Sequence, residues 1–149
     1  MNKSLIRYSK PLIDMLNRDV ITISPNAPVS EAAYLMMRED IGSIVVIDNE
    51  MFPIGIVTDR DLVVSVIAEG RSPDEVSVEE IMTKNIVYVE EETNLMDILS
   101  TMSEYSVRRI PVTKEGRLSG IISVDDLIVI VATELADLAT AVSAKSKVL

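Results

Sequence analysis

Hydrophobic and polar positions follow the same order twice along this chain. A β-branched run at residues 20–23, and the matching run Ile86-Val87-Tyr88-Val89, predict a short strand at the start of each half. Apolar residues at helical spacing then predict an amphipathic helix in each half. Those predicted to share its buried face are Val29, Ala32, Ala33, Met36 and Met37 in the first half and Leu95, Ile98, Leu99 and Met102 in the second.

Two further apolar runs follow each predicted helix, and a short polar turn separates them. This arrangement is typical of two adjacent strands. The runs cover residues 44–47 and 53–57 in the first half and residues 110–112 and 118–122 in the second. A second helix closes each half, so the pattern predicts one unit of strand, helix, strand, strand and helix, used twice.

A motif at the junction of the last strand and the last helix is also present twice. It is Gly55-Ile56-Val57-Thr58-Asp59-Arg60-Asp61 in the first half and Gly120-Ile121-Ile122-Ser123-Val124-Asp125-Asp126 in the second. A single βαββα unit leaves one face of its sheet exposed, so we expect the two units to cover each other. The predicted fold class is mixed α/β, with two βαββα repeats packed as a pseudo-twofold pair.

These repeats set the predicted domain boundaries. We expect an N-terminal tail at residues 1–10, a first repeat at 11–69 that begins with a short helix near Pro11, a linker at 70–77, a second repeat at 78–140 and a C-terminal tail at 141–149. The closing helices carry more than one apolar stripe, at residues 62–67 and 127–132. Because a helix in a small monomer normally shows a single stripe, we expect a homodimer.

Composition removes several classes of function. The 149 residues include no Cys and no His, which excludes thiol chemistry, Ser/His/Asp nucleophilic catalysis and structural zinc sites. A net charge of −10 argues against nucleic acid as a partner, because nucleic acids are bound through phosphate neutralisation. The longest apolar run, residues 127–132, is far shorter than a membrane span. We therefore expect a cytoplasmic protein with no membrane partner.

The repeated motif has a purely structural interpretation. A hydroxyl residue followed three positions later by an acid is close to a capping box, and Thr58 with Asp61 or Ser123 with Asp126 fits it. Aspartate, however, has a shorter side chain than the preferred Glu or Gln and is expected to reach back less well. Both helix starts also follow a strand, where free backbone donors favour an anion. A carboxylate there can hold two ribose hydroxyls, as in dinucleotide-binding folds.

The doubled pattern resembles a tandem pair of CBS domains. The resemblance is carried by both glycine motifs, by residues 20–25 and 41–46 in the first half, and by Val107-Arg108-Arg109-Ile110-Pro111-Val112 in the second. It covers about residues 11–133 and leaves no room for a catalytic domain. It implies a regulatory protein, not an enzyme, that binds AMP, ADP, ATP or S-adenosylmethionine in clefts between the repeats and signals to a partner protein, with no cofactor and no metal site.

The resemblance also implies which residues touch the ligand. Asp61 and Asp126 would hold ribose hydroxyls, and Thr58 or Ser123 would contact ribose or phosphate. The base would lie in an apolar slot formed by residues of the first strand and of the strand beside it. These are Thr22, Ile23 and Ile44 in the first half and Tyr88, Val89, Ile110 and Pro111 in the second.

The two copies differ in charge. Arg60 lies within the first motif, where a cation would meet phosphate, whereas Asp125 occupies that place in the second. In the second copy, Arg108 and Arg109 compensate for the negative charge of Asp125, or else they form only a solvated surface pair. Their counterparts in the first copy are Gly42 and Ser43. We expect two unequal sites that favour a phosphate-bearing nucleotide over an uncharged adenosine compound.

Other functions remain open at this stage. One is a structural or interaction module that dimerises and binds no ligand, and another is a sensor of S-adenosylmethionine. A third is a nucleotide hydrolase that uses Mg²⁺ on the motif carboxylates, which are Asp59, Asp61, Asp125 and Asp126. The chain has no phosphate-loop glycine pattern, which argues against the hydrolase.

Overall fold

The computed structural model of the protein describes residues 16–145. The short helix predicted near Pro11, the tail at residues 1–10 and the end of the chain after residue 145 lie outside the described residues. The predicted mixed α/β class is confirmed, with the two repeats forming separate sheets.

The first sheet has the strand order β1-β2-β3-β4, and the second has the order β5-β6-β7. In each, the first strand is parallel to the next, and that strand is antiparallel to the third. The parallel pair requires a helical crossover, which the predicted amphipathic helices provide. The strands are β1 Thr22–Ile23, β2 Ser43–Ile47, β3 Pro53–Thr58, β4 Thr83–Lys84, β5 Val89–Glu90, β6 Arg109–Lys114 and β7 Arg117–Ser123.

Five α-helices lie in the described part of the chain: α1 Val29–Glu39, α2 Asp59–Leu62, α3 Val78–Ile81, α4 Leu95–Tyr105 and α5 Val124–Lys145. A π-helical turn, Val63–Ile67, continues α2. The crossover helices α1 and α4 both end at a residue with left-handed backbone, Asp40 and Ser106. Met36 is buried as predicted, but Met37 is 72% exposed and Ala33 is also exposed, because the buried stripe of α1 is narrower than the sequence pattern suggested.

The segment between the two repeats packs on the first repeat. The backbone N–H of Val29 donates to the Val76 carbonyl at 2.9 Å, and the N–H of Val78 donates to the Ala27 carbonyl at 2.8 Å. Val76 and Val78 are buried in the hydrophobic core of the first repeat. The residues predicted as a linker, together with α3, therefore close one end of the first repeat.

Each sheet also receives backbone from the start of the other repeat. Strand β4 pairs antiparallel with β3, and Asn17 forms a bridge with Ile121 of β7. The motif glycines lie at these crossings. A Cβ on Gly55 would lie 2.6 Å from Met82 Sδ, and one on Gly120 would lie 3.0 Å from Leu16 Cβ. The glycine of each motif thus allows backbone from the other repeat to approach closely, which is β4 beside β3 and Asn17 beside β7.

Helix α5 extends well beyond the second core. Leu127 and Ile130 are buried in that core, whereas every residue from 131 to 144 is exposed. Within Val124–Ala144, an 18-residue stretch has a mean hydropathy of 1.8, so this helix is, by length and composition alone, sufficient to cross a membrane. The longest uninterrupted apolar run therefore underestimates how apolar this helix is.

Candidate functional site

A cavity of about 310 Å³ lies between the two repeats. Its lining combines apolar side chains with a few polar and charged ones, contributed by both halves of the chain. The lining residues are Asn17, Asp19, Val20, Ile21, Ile41, Ser43, Ile44, Val45, Ile56, Arg109, Ile121, Ser123 and Asp126.

The apolar wall comes mainly from the first repeat. Val20 and Ile21 precede β1, Ile44 and Val45 lie on β2, and Ile56 lies on β3. Alternation along a strand normally directs one face to the core, and a parallel pair with a helix above it leaves the opposite face free. The wall is not made by one face alone, because Ile44 belongs to the core of the first repeat, Ile21 packs against that core, and Val45 lies on the face opposite to Ile44.

The polar lining comes equally from the two repeats, with Asn17, Asp19 and Ser43 from the first and three residues from the second. Arg109 begins β6, Ser123 ends β7, and Asp126 lies in the first turn of α5. A helix start directs free N–H groups and a positive dipole end outward, which favours acceptors and anions. The cavity therefore places a hydroxyl, a carboxylate and a guanidinium opposite the apolar wall.

Hydrogen bonds hold Ser123 and Asp126 in a fixed arrangement. The Ser123 N–H donates to Asp126 Oδ2 at 3.1 Å, the Ser123 hydroxyl donates to the same oxygen at 2.9 Å, and the Asp126 N–H donates to Ser123 Oγ at 3.1 Å. The first two of these bonds end on Oδ2 of the Asp126 carboxylate. The carboxylate is thus oriented before any ligand arrives.

The first motif forms the same arrangement. The Thr58 N–H donates to Asp61 Oδ2 at 2.8 Å, and the Asp61 N–H donates to Thr58 Oγ1 at 3.2 Å. This is a complete capping box. Aspartate was expected to reach back less well than Glu or Gln, yet both copies make the reciprocal bonds.

The two arginines of the second repeat have different surroundings. Arg108 Nη2 lies 3.6 Å from Asp125 Oδ1, and both side chains are more than three-quarters exposed. Arg108 and Asp125 therefore form a solvated ion pair, in which the guanidinium offsets the charge of the carboxylate. Arg109 lines the cavity instead. Among the cavity-lining residues it is the one cation, opposed by the carboxylates of Asp19 and Asp126.

Four of the residues expected to bind nucleotide line this cavity: Ile44, Arg109, Ser123 and Asp126. The others lie elsewhere, some of them in the two hydrophobic cores. Ile23, Val89 and Ile110 are core residues. Pro111 is buried on β6, Thr22 pairs with Val45 in the sheet, and Tyr88 is exposed.

The remaining predicted residues belong to the first motif and its surroundings. Arg60 is exposed, and its backbone N–H donates to Asp59 Oδ1 at 2.8 Å. The Gly42 carbonyl accepts the Asp59 N–H at 3.0 Å, and a Cβ on Gly42 would lie 3.1 Å from Asp59 Oδ2. A side chain at this position would therefore require the Asp59 carboxylate to move by a few tenths of an ångström.

Sequence reasoning missed the residues just before β1. The β-branched run suggested a strand at residues 20–23, whereas β1 covers only Thr22–Ile23, and Val20 and Ile21 lie at the cavity. The β-branched run pointed to this segment. Which of its side chains face the core and which face the cavity could be assigned only once the first residue of β1 was known. Ser43, the counterpart of Arg109, was also missed and faces the same space.

Metal ligands are scarce in the described residues. No group of three or more His, Cys, Asp or Glu side chains that could hold a metal ion is present between residues 16 and 145. The chain has no His or Cys at all. The soft and borderline metals that prefer nitrogen or sulfur therefore lack their usual ligands here.

Comparison with known proteins agrees with the doubled architecture. The CBS domain family matches this chain twice, at residues 12–67 and 78–133. The chain belongs to the CBS-domain family. CBS pairs of this kind are regulatory modules that commonly bind adenosine-containing ligands and that assemble into oligomers.

Two relatives show the range of similarity. An uncharacterised protein of Methanopyrus kandleri, MK0525, is 38% identical over 116 residues, which are 77% of this chain and 59% of that protein. The chain thus spans less than two thirds of that relative's length. Hypoxic response protein 1 of Mycobacterium tuberculosis is 32% identical over 114 residues, which are 76% of this chain and 80% of that protein.

Solved structures give the same fold. Hypoxic Response Protein I, crystallised with two coordinated zinc ions, has a TM-score of 0.72 at 30% identity, covering 80% of this chain and 97% of its own. The CBS domain pair of protein MJ0100, in complex with 5′-methylthioadenosine and S-adenosyl-L-methionine, has a TM-score of 0.70 at 25% identity, covering 84% and 98%. A hexameric CBS-CP12 protein from cyanobacteria is also similar, with a TM-score of 0.65.

Proposed function

We propose that the protein is a cytoplasmic sensor of an adenine nucleotide, which it binds in the cavity between its repeats and reports to a partner protein. The observation that carries the proposal is the position of Asp126, Ser123 and Arg109 opposite the apolar wall of the first repeat. The base would lie against Val20 and Ile21, and the ribose hydroxyls would donate to the Asp126 carboxylate. No metal or cofactor forms part of the proposal.

The size and charge of the cavity favour a ligand with one phosphate. A volume of about 310 Å³ is near the lower end of the range of about 300–1,000 Å³ for small-molecule sites. The lining supplies one guanidinium, Arg109, against the carboxylates of Asp19 and Asp126, and the whole chain carries a net charge of −10. A triphosphate would meet more repulsion than a monophosphate. We therefore rank AMP above ADP and ATP.

A second candidate is S-adenosylmethionine, which carries a sulfonium and an ammonium group. It is favoured by the same excess of carboxylates in the lining, which would attract a sulfonium or ammonium group. It is also favoured by the resemblance to the CBS pair of MJ0100, whose structure holds such ligands. The Arg109 variants separate a phosphate-bearing ligand from a nucleoside without an anionic group, because the phosphate needs the guanidinium.

The deciding experiment is calorimetric titration of nucleotide-free protein with AMP, ADP, ATP, S-adenosylmethionine and adenosine in turn. Two matched variants, Asp126→Asn and Asp61→Asn, change equivalent carboxylates in the two motifs. Loss of a charge-assisted hydrogen bond, worth about 1.5–3 kcal/mol, should weaken binding by roughly tenfold to a hundredfold in Asp126→Asn. Asp61→Asn should bind as the wild type does at this cavity.

A second matched pair tests the phosphate. Arg109→Met should weaken AMP binding but leave adenosine binding unchanged, whereas Arg108→Met, which changes the neighbouring solvated arginine, should alter neither. Absence of heat and of thermal stabilisation with every ligand, in folded protein, would refute the sensor and favour an interaction module without a ligand.

We also propose that the protein is a homodimer. The support is the set of large apolar side chains that remain exposed on the helix closing the first repeat. Val63 is 53% exposed, Val64 48% and Ile67 70%. Neighbouring apolar patches of this kind mark interaction surfaces. Sedimentation equilibrium of the wild type and of a Val64→Glu variant tests the assembly.

A further inference from the structure

Helix α5 continues past the part of the chain that the CBS family accounts for. The family match ends at residue 133, whereas α5 continues to Lys145. All residues from 131 to 144 are exposed, a stretch about 20 Å long at 1.5 Å per residue. Isolated helices shorter than about 12–15 residues are marginal in water. The extension is not isolated, because it continues the 22-residue helix α5, but its side chains remain exposed and a partner that covers them would stabilise it.

The apolar residues of the extension have the spacing of a coiled coil. They follow one another at alternating steps of three and four residues, the repeat that keeps one seam facing a second helix. We name them the α5 seam: Ile128, Val131, Leu135, Leu138 and Val142. Their side chains are between 41% and 62% exposed. By contrast, Leu127 and Ile130 on the neighbouring face are buried in the domain core.

The residues that border the seam fit a second copy of the same helix. In the heptad set by the α5 seam, the bordering positions are Ala132, Glu134, Ala139 and Ala141. Three of the four are alanine, which carries no charge and leaves the partner helix room to approach. Two chains that each carry −10 would otherwise repel each other along an acidic border.

A membrane fits the helix less well. Glu134 and Asp137 lie near the middle of Val124–Ala144, where an acidic side chain is costly in a bilayer. Residues 124–144 contain no Lys or Arg, whereas helices that lie on a membrane surface usually present basic residues to anionic lipids. The pattern of the helix therefore favours a protein partner.

We propose that the α5 seam pairs with the α5 seam of a second copy of this chain, forming a short two-helix coil that projects from the domains. The seam covers little more than two heptads, fewer than the roughly 3–4 that mark a coiled coil able to form by itself. This coil therefore rests on the proposed homodimer, which holds the two helices at high local concentration. It does not depend on ligand binding.

The test is hydrogen exchange of the amides at residues 134–144 in the full-length protein, measured with its mass by sedimentation. The seam variant is Leu135→Glu with Leu138→Glu, and its matched control is Ala136→Glu with Thr140→Glu, which adds the same charge to the opposite face. Exchange in the wild type should be slowed roughly tenfold or more relative to an unstructured peptide, and the seam variant alone should lose that protection.

Several results would overturn the proposal. Unprotected amides at residues 134–144 in a dimeric wild type would show that the extension has no partner. Equal protection in both variants would show that the seam is not the contact. A monomeric wild type would exclude a second copy as the partner of the α5 seam. Flotation of that monomer with phosphatidylcholine and phosphatidylglycerol vesicles would identify a membrane as the partner instead. Nucleotide titration is scored separately, so failure of the sensor is not confused with failure of the coil.

Discussion

Gly55 lies where the segment exchanged from the second repeat crosses the first sheet, so Gly55→Ala tests that crossing directly. A Cβ at this position would lie 2.6 Å from Met82 Sδ and 3.0 Å from the Thr83 carbonyl oxygen. The thioether can rotate away, but the carbonyl belongs to β4, which pairs with β3 through Gly55 and Lys84. The backbone of one strand must therefore shift.

The expected cost combines two opposing effects. Overpacking of this kind costs about 1–3 kcal/mol. Replacing glycine reduces the freedom of the unfolded chain and returns about 0.4–1 kcal/mol, because Gly55 does not have left-handed backbone. We expect a net loss of about 1–2 kcal/mol in the free energy of unfolding. In a chain of this length, that corresponds to a fall in Tm of roughly 3–8 °C.

Urea unfolding of Gly55→Ala, Met82→Ala and the double variant measures the contact. The double variant should be more stable than the sum of the single effects predicts, by about 0.5–1 kcal/mol, since the alanine then has only the carbonyl to avoid. Gly70→Ala is the control: nothing lies within 4 Å of its Cβ position, and its φ of +65° alone makes it costly. A neutral or stabilising Gly55→Ala, or strict additivity with Met82→Ala, would refute the close-approach explanation.

Three further predictions concern other parts of the fold. Hydrogen bonds from the Ser77 N–H and hydroxyl lower the pKa of Glu80. Their stabilisation is therefore present above the unfolded pKa and lost as pH falls through the folded one, and Glu80→Gln should reduce the difference in Tm between pH 7 and pH 3. Ile98→Ala, at a fully buried site, should cost about 2–5 kcal/mol in urea unfolding. Arg108→Ala should cost less than about 1 kcal/mol in the same assay, because its ion pair is exposed.

Local periodicity was enough to predict most of each repeat. The hairpin strands and the crossover helices have side chains that alternate at a period of two or recur near 3.6, and burial of one face fixes both patterns. The width of the buried stripe was less predictable: Met37 has the right spacing but lies on the open side of α1. The spacing of residues gives the direction of each side chain on its helix. The packing of the neighbouring elements decides how wide the buried stripe is.

The exchange of segments between the sheets could not be predicted from the sequence. Strand β4 has two residues, Thr83 and Lys84, both exposed, so no hydrophobic pattern marks them. The position of β4 depends on the burial of Val76 and Val78 in the core of the first repeat. These contacts join residues far apart in the sequence, so local patterns do not predict them. The cavity depends on the same kind of choice, because Val20 and Ile21 meet Asp126 only when the two repeats face each other.

Capping and ligand binding are compatible roles for the same carboxylate. Asp126 Oδ2 accepts from the Ser123 N–H and hydroxyl, and in the proposed complex Oδ1 would accept from a ribose. A loss of stability after substitution of Asp126 therefore does not by itself indicate lost binding, since removing a cap costs about 0.5–2 kcal/mol with no ligand present. Asp61 makes the equivalent cap and lies outside this cavity. The cost common to Asp126→Asn and Asp61→Asn is therefore that of capping, and a ligand-dependent difference between them would measure the proposed binding role.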